Sequence, residues 1–518
     1  MREFRWPAIA GGLLLVAITF VVYAPAVRDG FVFDDRALIT DNPMIHARDG
    51  LYRFWFTSES PDYRPVIWSL WWLEWRAWGA NPVGYHVVNV LLHAVNAVLV
   101  WVVLRRLKIP GAWLAALVFA VHPVNVATVA WISEQKNTLS MLFYALSILF
   151  YLRFDDDGRW RWYGWSVAAF LLALLSKTAI VMLPVVLLGC VWWRRGRIPK
   201  RDWLCSVPYL AASLALAVVT IVQHQRALGD VVVRTGGFAS RLAAAGWIPW
   251  FYLSKALLPV GLTVVYPKWE IDVSRWTSYV PGVMLIGGLA VFWWRRKSWG
   301  RPWLFGLGYF VVMLFPVLGF FDQGFYYYSL VADHWQYYSI VGVIALVVGA
   351  GKRMSDRFGE RGRTVGVVAG VALSLALGAA AWRRGSVYTN EETLWRDNVN
   401  KNPGAWMAHN NLANVLLAHG QAAEAIAHYQ ETIRLRPDYG NAHYNLGIAS
   451  FQRGDYNTAV VQFREAVRLK PRSAEAYNNL GAALAKAGQT NDAIAQLKIA
   501  ARLAPHWDEP RANLARLR

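Results

Sequence analysis

The chain has 518 residues, of which 56% are hydrophobic, 14% aromatic and only 17% charged, with 29 Trp and 22 Pro. So apolar a chain is not an ordinary soluble globule. The net charge of +20 does not mark a nucleic-acid groove, because its cations stand as short clusters between apolar runs: Arg105/Arg106/Lys108, Arg194/Arg195/Arg197/Lys200/Arg201, Arg295/Arg296/Lys297 and Lys352/Arg353/Arg357. That punctuation is the pattern of cytoplasmic loops in a multi-pass membrane protein.

About 20 apolar residues make one spanning helix. On that measure the runs fall near 8–27, 84–104, 111–131, 138–154, 162–177, 178–194, 205–223, 279–295, 302–319, 338–351 and 363–383. The first follows Arg2 and Arg5 without a small-residue cleavage site, so it reads as a retained helix. A further run, 242–262, contains Pro249, Lys255 and Pro259. Crossing there would move every later basic cluster to the outer side, so it reads as re-entrant or interfacial, leaving about eleven spans. An odd number puts the region after residue 385 on the same outer side as the segment that follows the first span. Cys190 and Cys205, the only cysteines, read as inert reduced thiols at cytoplasmic span ends.

The first outer loop, 28–83, opens with an acidic pair in Phe33-Asp34-Asp35. A carboxylate pair at the mouth of an apolar bundle suits a base acting on a substrate delivered from the membrane. The bland reading is a turn or cap after the span. In the next helix His86, Asn89, His93 and Asn96 are spaced 3, 4 and 3 apart and share one face, a polar stripe that lines a site or joins helices by hydrogen bonds. Cations reach the same compartment from Arg64, Lys136 and Lys177, with His334 in a later outer loop. His122, Glu134 and Gln336 complete the polar lining.

From residue 386 the material changes. Pro403, Pro437, Pro471 and Pro505 are each 34 apart, and the same step relates Asn411, Asn445, Asn479 and Asn513, then Gly420, Gly454 and Gly488, then Ala425, Ala459 and Ala493. A 34-residue period with Gly at the turn and Pro after the second helix is the tetratricopeptide signature. Three repeats are expected, at 406–439, 440–473 and 474–507, with an opening helix before them and a closing helix at 508–518. Asn411, Asn445 and Asn479 would form a ladder of amides for the backbone of an extended peptide, or else would link adjacent repeats.

Taken in order, Phe33-Asp34-Asp35, Asn42-Pro43, Tyr63-Arg64-Pro65, Gly84-Tyr85-His86-Val87-Val88-Asn89, Phe119-Ala120-Val121-His122-Pro123, Trp131-Ile132-Ser133-Glu134, Ser176-Lys177 and the repeats resemble the transmembrane and tetratricopeptide repeat-containing glycosyltransferases of the GT-C class. The resemblance runs over nearly the whole chain. It implies an all-α fold, a polytopic membrane domain at 1–385 followed by a repeat solenoid at 386–518. It also implies inverting transfer of a sugar, mannose or another hexose, from a polyprenyl-phosphate carrier to a protein acceptor on the outer or lumenal face, with the acidic pair supplying the base. One departure is Ala332-Asp333-His334-Trp335-Gln336-Tyr337-Tyr338, where eukaryotic members resemble Glu-Arg-Tyr-Leu-Tyr; a histidine in place of an always-charged arginine leaves the sugar open.

The chemistry can be argued without the family. A sugar phosphate carries its leaving group, so the protein must provide a base for the hydroxyl and cations for the departing phosphate. Neighbouring loop residues point apart, so one Asp is expected to be the base, Asp34 by preference, and the other to orient the site. Arg64, Lys136, Lys177 and His334 would hold the phosphate. No further carboxylates cluster nearby, which favours a mechanism without a metal or other cofactor. The expected partners are the donor, a protein or peptide acceptor and membrane lipid, not nucleic acid. A bacterial inner membrane with periplasmic repeats is the expected location, as no Asn-x-Ser/Thr site occurs. Two other readings remain at this stage: a non-catalytic scaffold that recruits partners through its repeats, and a lipid-linked glycan polymerase or ligase.

Overall fold

The computed structural model describes residues 5–229, 233–234 and 236–517, so Arg2 lies outside the described residues. The described chain is helical, without a strand, and divides into two compact units, Met1–Asn390 and Glu391–Arg518.

Each expected apolar run forms a helix: Arg5–Val22, Pro82–Arg106, Ala112–Val121, Gln135–Asp157, Trp160–Ser176, Leu183–Arg195, Lys200–Leu228, Val280–Trp294, Gly300–Leu314, Ile340–Arg357 and Gly359–Gly385. By length and composition, seven segments suffice to cross a membrane, or eight with one bent pair, against the eleven spans expected. The shortfall lies in short helices such as Ala8–Val22, and in Ile340–Arg357, whose last turns carry Lys352, Arg353 and Arg357. Phe238–Leu257, with Pro249 inside it, is not among the helices apolar enough to cross.

The run 111–131 is broken. Ala112–Val121 stops at His122, and the chain resumes through Pro123–Val129 at an angle of 49°. Pro123 has no N–H to continue the helix. The His122 side chain accepts from Val124 N at 3.3 Å, and its Nε2 lies 3.1 Å from Ala256 O.

The first loop is a structured cap. It contains Pro43–His46, Gly50–Phe56 and Pro65–Trp78, whose Phe54, Ile67, Trp68 and Trp71 are buried together with Ile39, Tyr85 and Ile132. Pro82–Arg106 starts on Asn81, whose side chain accepts from Val83 N at 3.1 Å, with Pro82 in the first turn, where its missing N–H costs nothing. Tyr85, one turn in, joins the core of the cap to the bundle.

In the second unit the helix pairs Trp406–Ala418/Ala422–Leu435, Gly440–Gln452/Tyr456–Leu469 and Ala474–Lys486/Thr490–Leu503 begin where the period places them, between Glu391–Lys401 and Glu509–Ala515. Gly420, Gly454 and Gly488 have φ of 77°, 81° and 79°, the left-handed conformation that ends each first helix. Ala425, Ala459 and Ala493 are wholly buried where the helices cross.

Candidate active site

The two members of the acidic pair differ sharply. Asp35 is fully buried, and its carboxylate accepts from Val32 N at 2.9 Å, from Ser133 N at 2.7 Å and from the Ser133 hydroxyl. Asp35 thereby fastens the first loop to the Trp131–Glu134 segment. Burial pushes its acid constant up to about 7, against the pull of those donors. Asp34 is half-buried, and no hydrogen bond from a described residue reaches its carboxylate. Burial raises its acid constant above the ordinary carboxylate value; Lys136 and Arg64 pull it down, and Glu134 pushes it up. The preceding residue, Phe33, sits at φ 50°, a conformation that costs a bulky side chain on the order of 1–3 kcal/mol. Its ring packs 5.5 Å from that of Trp131. The strained turn sends neighbouring carboxylates to different surroundings, one into the protein and one to the cluster of cations.

That cluster gathers around Glu134. The side chain is 2% exposed, its Oε1 is 2.8 Å from Lys136 Nζ, and its Oε2 is 3.3 Å from Lys177 Nζ. Asn137 Nδ2 donates to Oε2 at 2.6 Å, and His334 Nε2 stands 3.7 Å from Oε1. Lys177 occupies the turn between Trp160–Ser176 and Leu183–Arg195, so the cluster joins three separate stretches of chain. Burial holds His334 neutral, with its constant lowered to about 3 despite the pull of Glu134; Lys177 and Lys136 add to the lowering. His334 therefore adds no cation to the three of Arg64, Lys136 and Lys177.

Arg64 stands at the N-cap of the Pro65–Trp78 helix and is paired through Nη2 with Asp62, while its buried Nε has no partner among the described residues. Asp62 also accepts from Trp68 Nε1 at 3.1 Å. Although burial opposes it, the charge of Arg64 holds Asp62 below the usual carboxylate range. Tyr63 N donates to Gln223 Oε1 at 2.7 Å, which ties this segment to the Lys200–Leu228 helix.

The polar stripe behaves differently. Asn89 Nδ2 donates to Thr128 O at 3.0 Å and Val129 O at 2.9 Å, and its Oδ1 accepts from the Thr138 hydroxyl at 2.6 Å. His93 meets Tyr337 OH at 2.7 Å and Ala120 O at 3.0 Å, and Asn96 donates to Thr138 O at 2.8 Å. These side chains join helices. His86 is buried near the Asp29–Gly30 backbone, and among the described residues neither its ring nitrogens nor the amide atoms of buried Gln336 have a hydrogen-bond partner. In the repeats Asn445 Nδ2 donates to Asn414 Oδ1 at 2.9 Å and Asn479 Nδ2 to Tyr444 OH at 2.9 Å, both in the preceding repeat. Asn411 Oδ1 accepts from Asn410 at 3.2 Å.

Sequence reasoning brought Asp34, Arg64, Lys136, Lys177 and His334 to one compartment but missed two functions. Glu134 is the hub of the cations as well as lining, and Asp62 is the partner of Arg64. An acid two residues before a cation, in Glu134-Gln135-Lys136 and Asp62-Tyr63-Arg64, is the signal that was available.

Residues 64–223 match the dolichyl-phosphate-mannose-protein mannosyltransferase family, and residues 396–440, 410–462 and 449–488 match tetratricopeptide repeat families. The chain is similar to Protein O-mannosyl-transferase F38B6.6 of Caenorhabditis elegans, 23% identical over 84% of this chain and 64% of that protein. It is also similar to Protein O-mannosyl-transferase Tmtc1 of Drosophila melanogaster, 35% identical over 32% of this chain and 21% of that protein. The chain thus spans less than two thirds of the length of these relatives. Among solved structures, the first TPR of Spaghetti (RPAP3) bound to an HSP90 peptide is 21% identical over 22% of this chain and 89% of that one, with a TM-score of 0.21.

Proposed function

Since the chain is TMTC-like, with a mannosyltransferase-type region and tetratricopeptide repeats, we propose that it is a membrane glycosyltransferase. It moves mannose or another hexose from a polyprenyl-phosphate donor to a protein acceptor, with inversion, on the outer face of the membrane. The observation that carries the reading is the contrast at the acidic pair. Asp35 is tied by three donors, while Asp34, influenced by Arg64 and Lys136, receives no hydrogen bond among the described residues.

Asp34 takes the proton of the acceptor hydroxyl as its oxygen bonds to the anomeric carbon and the bond from that carbon to the phosphate oxygen breaks. The electron pair leaves with the phosphate, which changes from a singly charged diester to a doubly charged monoester. Arg64, Lys136 and Lys177 meet the charge that develops there, the kind of interaction that lowers a barrier because it strengthens in the transition state. Among the described residues Arg64 has an Nε–H without a partner to offer. Glu134 keeps the two lysines together in the absence of donor, and Asp35 acts as a positioning residue. His334 and Gln336, neutral and buried, are suited to sugar hydroxyls more than to phosphate. An acceptor peptide would lie along the repeats, where Asn411 keeps its Nδ2 uncommitted among the described residues. A bacterial inner membrane with periplasmic repeats belongs to the same proposal.

The test is incubation of the protein in liposomes with a panel of radiolabelled polyprenyl-phosphate hexoses, mannose among them, and membrane proteins of the host. Label should enter protein, and the linkage should have the anomeric configuration opposite to that of the donor. Absence of label in protein, with donor intact, overturns the reading in favour of a scaffold; label in a lipid-linked glycan points to a polymerase or ligase.

A further inference from the structure

A cavity lies in the helical bundle away from the Asp34 site. It encloses about 490 Å³ between the Pro82–Arg106, Gln135–Asp157, Leu183–Arg195, Gly300–Leu314 and Ile340–Arg357 helices. That size is within the roughly 300–1,000 Å³ of small-molecule sites. Its wall follows Ile340–Arg357 from Val341 to Arg357, about 24 Å at the helical rise, so the space is long and narrow. On Pro82–Arg106 it begins at Val100, about 20 Å along the helix from His86, which faces the first loop. It is therefore separate from the Asp34 site.

The lining selects one kind of occupant. The walls are apolar, with Leu104, Met141, Ile148, Val186 and Phe305 among them. The two phenols at the inner end are already committed, Tyr144 OH to Tyr309 OH at 3.1 Å and Tyr309 OH to Tyr338 O at 3.0 Å, so neither donor is left over for a sugar. Small side chains at Ala145, Ala345 and Gly349 leave the space open. At the open end stand Arg353 and Arg357, both exposed and one helical turn apart. Neither makes an ion pair or side-chain hydrogen bond among the described residues, although their neighbour Lys352 pairs with Asp356. Trp299, Trp303 and Met354, all exposed, flank this mouth, as fits an opening toward lipid.

We infer that the cavity is a binding site for an anionic phospholipid, with an acyl chain in the apolar channel and the headgroup phosphate between Arg353 and Arg357. A polyprenyl phosphate seated there would hold its phosphate at the end remote from Asp34, so the site is not a second view of the donor site, and the inference does not depend on the proposed activity.

The experiment uses the full chain, purified in detergent and stripped of lipid. Native mass spectrometry counts retained lipid on adding phosphatidylglycerol, phosphatidylcholine with the same acyl chains, polyprenyl phosphate or soluble glycerol phosphate. One phosphatidylglycerol per chain is expected, preferred over phosphatidylcholine by about tenfold or more, because its headgroup is a net anion whereas the choline cation offsets the phosphate charge that the two arginines attract. Arg353→Ala with Arg357→Ala should bring the two lipids to equal affinity. Ala145→Phe, which fills the channel, should abolish retention of both. Because the two arginines are exposed, their double variant is decisive even if the filled variant fails to fold. Equal retention of the two lipids by the wild type overturns the inference, as does a preference untouched in the double arginine variant. Displacement by glycerol phosphate alone would show a free-phosphate site, and tighter binding of polyprenyl phosphate a carrier site; either result also overturns it.

Discussion

Asp34→Asn and Asp35→Asn are nearly isosteric changes one residue apart, yet they should differ in their effect on stability. Asp34 receives no hydrogen bond from a described residue and is half-buried. Exchanging its carboxylate for an amide removes no bond and relieves a burial penalty, so stability should stay within about 0.5 kcal/mol. Loss of a general base lowers the rate by about 10²–10⁴, or roughly 3–5 kcal/mol of barrier. At position 35 the amide has one oxygen to offer, while Val32 N and Ser133 N approach different oxygens. One backbone donor would then face an NH₂, and a hydrogen bond to a charged acceptor, about 1.5–3 kcal/mol, is lost. Asp35→Asn should therefore lower the melting temperature as well as activity. The assay pairs label transfer from polyprenyl-phosphate mannose with thermal unfolding in the same detergent. Transfer by Asp34→Asn within twofold of wild type would refute the base assignment. A variant at position 35 that melts like wild type but is inactive would reverse the two roles.

Glu134→Gln leaves Lys136 and Lys177 facing each other around a neutral amide, and a broken buried pair costs about 3–5 kcal/mol. Thermal unfolding should show the loss, and it should shrink when Lys177→Met is added; an unchanged melting curve would remove Glu134 as the hub. Arg64→Lys keeps a charge but loses the fork that holds Asp62 while presenting Nε–H, so kcat/KM should fall by about 10–100-fold, a loss of roughly 1.4–2.8 kcal/mol. Transfer should rise with pH toward about 7 and fall again above about 8, where burial makes Lys177 give up its proton. Asp35 gains its charge at about 7, and the raised constant of Asp34 moves its own ionisation in the same direction. The stability sign is opposite: between the ordinary carboxylate value and about 7 the folded chain keeps a proton on Asp35 that the unfolded chain releases, so this group's contribution declines as pH rises through that window. A transfer rate flat from pH 5 to 8 would contradict the assignment. Gly454→Ala, at φ 81°, should cost about 1–2 kcal/mol and speed hydrogen exchange across Gly440–Leu469.

What was legible in the sequence follows from the range of the forces involved. Apolar runs and the 34-residue period are local patterns, and each became a helix or a helix pair at the place expected, because a helix satisfies its own backbone whatever its neighbours do. The break at His122-Pro123 was present as a proline, but the length of the apolar run concealed it. The site depends on long-range pairing instead. Nothing near Asp35 in the chain announces Ser133, 98 residues away, and the separation of Lys177 from Glu134 by 43 residues hides the hub. The shared helical face of His86, Asn89, His93 and Asn96 was correctly read as inward-facing, but periodicity does not distinguish a lining from a seam. Asn89 resolves that choice through carbonyls left free at Thr128 and Val129, where a short helix ends, and Asn96 through a second bond to Thr138 O inside the Gln135–Asp157 helix. The broken helix therefore has a structural consequence for the site. Carbonyls released where Pro123–Val129 departs from a regular span are taken up by Asn89, and the segment they belong to leads directly to Ser133 and Glu134. A straight span through 111–131 would leave Asn89 without these acceptors and would carry the Asp35 anchor and the lysine hub away from the first loop.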